Sequence, residues 1–259
     1  MKVYIVNAFT KEKFGGNPAA IVPLKEWLSD EQMQNIAMQN NLAETAYIVP
    51  QANDYFIRWF TPAVEVALCG HATLASGYIF FNCLNYEKDK IIFHSKSGPL
   101  EVTKKNDGQI TLDFPVNAPF ECEAPEAIER GLKVKPLAIF NSTFDYMVVL
   151  ENQKAIEDLS PDFKILSTIP SRGVIATAKG DDTDFVSRCF FPQSGIDEDP
   201  VTGSAHTVTV PYWAKKLGKN KLSAIQLSKR RGYLNCELAG NRVLMSGYGV
   251  KYLEGDILV

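Results

Sequence analysis

Short apolar runs broken by Gly, Pro and Asn fill most of the chain. Lys2-Val3-Tyr4-Ile5-Val6 reads as a first strand, and Gly15-Gly16-Asn17-Pro18 turns the chain into a second apolar run at Ile21-Val22. Gly and Asn tolerate positive φ and Pro fixes the following step, so this is a tight loop that lets backbone approach a ligand closely. Ser29 then stands as an N-cap with Gln32 at the reciprocal position. Met33, Ile36 and Ala37 follow at helical spacing and predict a helix that ends near Asn40-Asn41. Leu42 to Val49 is a turn entering a buried strand stopped by Pro50, and residues 55–60 form another strand. Residues 69–82 are apolar on every side (Ala72, Leu74, Ala75, Tyr78, Ile79, Phe80, Phe81), which predicts a helix enclosed by protein, as when a sheet wraps around it. Strands are expected at 90–94, 99–103 and 109–114, the last after the hairpin signal Asn106-Asp107-Gly108.

Residues 115–125 are rich in turn formers, with Pro115, Pro119 and Pro125, and a domain boundary is placed there: one half over 1–116, the other over 117–259, with the last strand free to return to the first half. The second half has a similar ordering. Strands are expected at 137–140, 145–150, 173–178 and 185–191, with short helices at 153–158 and 161–166 between them. Residues 203–217 conflict: Thr207-Val208-Thr209-Val210 favour a strand and Pro211 opposes a helix interior, whereas Ala205, Val208, Tyr212 and Leu217 suit a buried helical face. The expectation is a helix kinked near 207–211. Strands at 222–227, 234–238, 242–245, 250–253 and 257–259 complete the chain.

One phrase occurs twice. Phe60-Thr61-Pro62 precedes Cys69-Gly70-His71-Ala72-Thr73, and Phe190-Phe191-Pro192 precedes Gly203-Ser204-Ala205-His206. In each, small residues open a helix, where free backbone N–H groups and the positive end of the helix dipole suit an anion. Two similar halves, each aiming a helix start at a shared cleft, follow as an expectation.

Composition narrows the function classes. A chain of 259 residues with 46% hydrophobic and 22% charged positions is an ordinary globular protein, long enough for two cores. A net charge of -3 gives no field to gather nucleic acid or an anionic membrane, and Lys229-Arg230-Arg231 reads as a solvated turn. The 5 cysteines are widely spaced without a C-x-x-C pair, which argues for reduced thiols and against a disulfide framework or a zinc site. With no leader-like start and no apolar run of spanning length, a cytoplasmic location is expected.

The candidate chemistry is carboxylate chemistry. Glu44 lies among Leu42, Ala43, Ala46 and Tyr47, where a carboxylate either caps a junction or sits in a poorly hydrated pocket as an acid/base. Asp197, Glu198 and Asp199 precede the second helix start, so capping accounts for some of them. Alternatively Glu44 and Asp199 form a pair suited to general acid–base work, one moving a proton and the other orienting substrate. Ser204 lacks the second glycine of a nucleophile elbow. His71, His94 and His206 show no ligand spacing, and no P-loop or G-x-G-x-x-G occurs, so neither metal nor nucleotide cofactor is indicated. Cys69 is either an activated thiol at a helix start or a buried, inert one.

Taken together, Asn7-Ala8-Phe9-Thr10, Gly15-Gly16-Asn17-Pro18-Ala19-Ala20, Asn40-Asn41-Leu42-Ala43-Glu44-Thr45-Ala46, Trp59-Phe60-Thr61-Pro62, Leu68-Cys69-Gly70-His71-Ala72-Thr73 and Glu198-Asp199-Pro200-Val201-Thr202-Gly203-Ser204-Ala205-His206 resemble, in order, the motifs of the PhzF-like (phenazine-biosynthesis) isomerase and epimerase family. The resemblance covers essentially the whole chain. It implies the α+β, diaminopimelate-epimerase-like fold: two pseudo-symmetric halves, each a mixed sheet around a central helix, with ligand between them. It implies that Glu44 is the acid/base of a cofactor-independent isomerase acting on a small carboxylate-bearing metabolite, with Asp199 and His71 assisting. Asn17, Gly70, Gly203 and Ser204 match substrate-binding positions, and homodimers are implied. Related racemases use two cysteines; Cys69 falls at the first position, but Thr202 stands at the second, and a threonine hydroxyl is too weak an acid for that role. A racemase using Cys69 with another base, and a non-catalytic binder of small acids, remain as alternatives.

Overall fold

A computed structural model describes residues 1–259. The chain divides into two compact units, Met1–Asp113 with Ser246–Val259, and Phe114–Met245. In chain order the first unit contains β1 (Lys2–Ala8), β2 (Asn17–Pro23), α1 (Asp30–Asn40), β3 (Glu44–Gln51), β4 (Asp54–Phe60), β5 (Glu65–Val66), α2 (Gly70–Cys83), β6 (Lys90–Ser95), β7 (Gly98–Lys104) and β8 (Ile110–Pro115), which carries the chain out. The second contains β9 (Phe120–Glu121), α3 (Glu126–Leu132), β10 (Ala138–Asn141), β11 (Asp145–Val149), α4 (Gln153–Glu157), α5 (Phe163–Leu166), β12 (Gly173–Lys179), β13 (Phe185–Phe191), β14 (Ile196–Asp199), α6 (Gly203–Leu217), β15 (Lys221–Gln226) and β16 (Gly232–Ala239). Then β17 (Arg242–Gly247) returns the chain to the first unit for β18 (Gly249–Asp256).

The strand pairings repeat. In the first unit β1–β2 is antiparallel, β2–β3 parallel, β3–β4 antiparallel, β4–β6 parallel and β6–β7 antiparallel. In the second, β10–β11, β11–β12, β12–β13, β13–β15 and β15–β16 follow the same alternation. Each parallel pair needs a crossover, and the crossovers carry the helices: α1 between β2 and β3, α4 and α5 between β11 and β12, α2 between β4 and β6, and α6 between β13 and β15. This is an α+β fold of two like halves.

Each half is built on one buried helix. In α2 the residues from Gly70 to Gly77 are all buried, as are Ile79, Phe80 and Phe81, so the enclosing sheet sees an apolar surface on every side. Gly77 permits the close approach of β7: a Cβ there would lie 2.7 Å from Val102 Cγ1. In the second half α6 runs from Gly203 to Leu217 as one helix. Pro211 lies inside it and has no N–H for the carbonyl of Thr207; the backbone N–H of Asn117 donates to that carbonyl instead, at 3.1 Å. The expected kink region is therefore helical, its lost bond replaced from outside the helix.

The capping box on α1 forms as the sequence predicts, with Ser29 and Gln32 bonded reciprocally, and Asn41 ends the helix in the left-handed conformation. Two expectations fail, and two elements go unforeseen. Residues 257–259 are not a strand. The turn-rich stretch after Pro115 includes β9 and leads into α3, which the prolines concealed. None of the three acidic residues before α6 caps it; Thr202 is the N-cap, without a side-chain hydrogen bond. Glu198 instead binds Arg188 through both oxygens, at 2.7 and 2.9 Å.

Candidate active site

The first-half site is assembled by three chain segments. Gly16 takes φ of +63°, and a Cβ there would lie 2.2 Å from the Ala8 carbonyl oxygen, so glycine is required for the turn that delivers Asn17 to the start of β2. Glu44 is the first residue of β3, and His71 is the second residue of α2. Asn17 is fully buried and its amide nitrogen lies 3.2 Å from His71 Nδ1; the Cys69 sulfur lies 3.5 Å from the same ring nitrogen. On the other side of the ring, Nε2 lies 3.1 Å from Glu44 Oε2. That contact is a charge contact and not an aligned hydrogen bond: both atoms are buried and neither has a hydrogen-bond partner. The Glu44 oxygen thus keeps an acceptor position available to a third group.

Burial works against a charge on His71, but the Cys69 sulfur and the Glu44 carboxylate outweigh it and raise the ring well above its ordinary range. Burial, and then Glu44, push the Cys69 thiol up to about 11. Near neutral pH Cys69 is therefore a thiol. With the Asn17 amide nitrogen on Nδ1, the neutral ring carries its proton on Nε2, facing the carboxylate. A second proton on Nδ1 requires the amide to turn its oxygen to the ring, or the sulfur to accept.

Cys69 caps α2 without a side-chain hydrogen bond, and the first intrahelical bond runs from Thr73 N–H to the Cys69 carbonyl. The N–H groups of Gly70 and His71 accordingly lie ahead of the helical ladder, at the positive end of the dipole. Carboxylate, sulfur and imidazole donors of Glu44, Cys69 and His71 all lie within 4.8 Å of one another, a set that suits a soft divalent ion. However, the ring turns Nδ1 to the sulfur and Nε2 to the carboxylate, so one ion cannot take the ring with both neighbours as they stand.

In the second half, Asp199 ends β14 and is 8% exposed. Its Oδ2 accepts a hydrogen bond of 2.5 Å from Thr202 Oγ1. Gln226 holds this turn from below: its amide oxygen accepts from Thr202 N–H at 2.8 Å, and its amide nitrogen donates to the Asp199 carbonyl at 2.8 Å. Gly203 opens α6, and Ser204 follows it with its hydroxyl oxygen 3.0 Å from Arg172 Nη2. His206 is structural: Nδ1 sits 2.8 Å from the Thr202 carbonyl, and burial pushes the ring down to about 4, so it stays neutral. His94 lies away from both sites, 3.1 Å from Asp54.

Glu44 and His71 are thus brought into contact in the first half, with Asn17 as a partner of His71 and Gly70 beside it. Asp199, Gly203 and Ser204 gather around the start of α6 in the second. Reasoning from the sequence passed over Asp145 and Arg172. Asp145 stands at the head of a wholly buried strand and is 0% exposed, which demands a paired cation, and Arg172 just before the buried strand Gly173–Lys179 is the partner.

The structure brings together a helix buried within a mixed sheet, a helix start without a side-chain cap and a carboxylate beside a histidine, and the relatives named as isomerases give the class of enzyme. Residues 6–255 match the family model described as phenazine biosynthesis-like protein, and the chain belongs to that family. An uncharacterized isomerase of Pseudomonas aeruginosa is 45% identical over 257 residues, which is 99% of this chain and 98% of the relative. The crystal structure of a PhzF-family phenazine biosynthesis protein from Enterococcus faecalis superposes with a TM-score of 0.96 at 44% identity, covering 100% of this chain and 99% of the other. At 15% identity, a predicted epimerase from Pseudomonas aeruginosa shares the fold with a TM-score of 0.78, over 100% of this chain and 99% of its own. No helix is long and apolar enough to cross a membrane.

Proposed function

We propose that the protein is a cofactor-independent isomerase that moves a proton between carbons of a small carboxylate-bearing metabolite, with Glu44 as the acid/base. The observation that carries this reading is the buried Glu44 Oε2, held 3.1 Å from His71 Nε2 yet without a hydrogen bond of its own. A carboxylate oxygen so placed accepts a proton from substrate carbon as that C–H bond breaks, and returns it to a second carbon as the double bond shifts. No redox partner is needed, because atoms and electrons balance within substrate and carboxyl group. His71 steadies the carboxylate while it is charged, and the N–H groups at Gly70 and His71 hold the oxygen on which negative charge develops. Asp199, Gly203 and Ser204 are assigned to orienting and binding the substrate.

The test is isotope exchange. Small unsaturated and amino acids are screened in deuterated buffer by mass spectrometry, and Glu44→Gln is expected to keep the fold while abolishing deuterium incorporation into the substrate so found. Full exchange in that variant removes Glu44 from the mechanism. A chain that binds acids but exchanges none of them is a binding protein, and the reading fails.

A further inference from the structure

The repeated pairing pattern allows each residue of the first-half site to be matched with its counterpart. In the first unit Thr45 pairs with Phe60 of Phe60-Thr61-Pro62; in the second Val174 pairs with Phe190 of Phe190-Phe191-Pro192. The register therefore sets Glu44 against Gly173, while Gly70 and His71 at the start of α2 answer to Gly203 and Ser204 at the start of α6. No side chain fits at residue 173: a Cβ there would lie 2.2 Å from Phe191 Cδ1 and 2.4 Å from the Phe190 carbonyl oxygen. The charged group stands one residue earlier, at Arg172. Where the first half sets Glu44 3.1 Å from His71, the second sets Arg172 3.0 Å from Ser204.

Arg172 is held rigidly. Its Nε donates to Asp145 Oδ1 at 2.8 Å and its Nη2 to Asp145 Oδ2, with Asp145 fully buried. The guanidinium carbon lies over the rings of Phe144 and Phe191, 5.8 and 5.2 Å from their centroids. Asp145 takes the Nε and Nη2 edge, and Ser204 accepts from Nη2 on the other edge. On that second edge Nη1 has no hydrogen-bond partner, although the side chain is 37% exposed. Because the Ser204 oxygen already accepts from Arg172, its own proton is free to be donated outward. The guanidinium and the hydroxyl are in contact at 3.0 Å, and each retains a donor that no partner in the chain takes, the kind of pair that a carboxylate can engage with its two oxygens.

We propose that Arg172 is a substrate-binding residue for a carboxylate, the functional inverse of Glu44: the first half of the repeat uses its position for a base, the second for an anion anchor shared with Ser204. This rests on the proposed function for the identity of the acid as substrate, but its test does not. The probe is crotonate, an unsaturated monocarboxylate, with crotonamide as its uncharged counterpart, titrated at millimolar concentration against the full chain and followed by NMR of the arginine side-chain N–H groups. Crotonate is expected to shift Arg172 saturably and crotonamide to leave it unmoved. Arg172→Gln is expected to weaken crotonate binding about tenfold to a hundredfold, Arg172→Lys to recover part of it, and Ser204→Ala to lose less than Arg172→Gln. Unchanged backbone spectra separate this from loss of fold, and Asp145→Asn, which keeps the volume while loosening the clamp, gives a second variant should Arg172→Gln fail to fold. Equal binding of acid and amide, undiminished binding of crotonate by Arg172→Gln, or no binding by the wild-type chain overturns the proposal. The titration reads anion binding without turnover, so a failure of anion binding and a failure of proton transfer, read by deuterium exchange, are told apart.

Discussion

Glu44 and His71 face each other at 3.1 Å between two buried atoms that no hydrogen bond satisfies. The raised pKa of His71 makes this contact depend on pH in a definite direction. A histidine whose folded pKa exceeds its ordinary value of about 6.5 binds its proton more tightly in the native state. Its contribution to stability is complete below about pH 6.5 and is lost as pH rises through the folded value. The difference in unfolding free energy between the wild type and Glu44→Gln is therefore expected to shrink on the alkaline side, measured by urea denaturation across pH. Ring NMR of His71 is expected to show its pKa falling in the variant, where the carboxylate that favours the second proton is gone. A His71 that titrates identically in both proteins rules out the coupling.

Cys69 is expected to be dispensable. With its thiol pushed up to about 11, it supplies almost no thiolate at neutral pH, and burial shields the sulfur from reagents. Peptide mapping after iodoacetamide treatment at neutral pH is expected to find label on the partly exposed Cys83 and Cys122 and none on Cys69. Cys69→Ala is expected to keep exchange activity within about threefold and to lose roughly 1 kcal/mol of stability from the small void. Rapid inactivation by alkylation, prevented by ligand, points instead to a racemase that uses this thiol.

Thr202 is the N-cap residue of α6, and its hydroxyl donates to Asp199 Oδ2 at 2.5 Å. Thr202→Val keeps the branched shape and removes the donor. The expected cost is about 1–3 kcal/mol in urea unfolding, because a buried carboxylate loses a hydrogen bond. Turnover is expected to fall further than stability alone accounts for, since Asp199 is then oriented only through its backbone and its remaining contacts. Exchange at the wild-type rate takes Asp199 out of the orienting role.

Much of the fold was legible because its signals are local. The capping box at Ser29, the apolar surround of α2 and the paired Phe-x-Pro phrases each act within a dozen residues. What stayed hidden depends on partners distant in sequence. Pro211 reads as a helix breaker until the Asn117 N–H reaches the carbonyl it leaves open. Glu198 looks like a cap until Arg188 claims both of its oxygens. Glu44 and His71 could each be named from their surroundings, but their contact, and the thiol state of Cys69 beside them, follow from burial. Arg172 carried no signal of its own; only the pairing register shows that it stands beside the counterpart of Glu44.

The close approach of α2 to its sheet gives the last prediction. Gly77 lies in the middle of α2, where glycine costs about 0.5–1 kcal/mol relative to alanine, so an exposed helix would gain by the exchange. Here the added Cβ meets Val102 Cγ1 at 2.7 Å and Ile110 Cγ2 at 3.4 Å, and Val102 is fully buried and, being β-branched, stiff at χ1. Overpacking of this kind costs about 1–3 kcal/mol and outweighs the gain in helix propensity. Gly77→Ala alone is expected to lower the urea midpoint. Combined with Val102→Ala, which opens the space, it is expected to be less harmful than the two single costs added, a coupling of at least about 0.5 kcal/mol in a double-mutant cycle. Additive effects mean that β7 and α2 do not meet at this glycine.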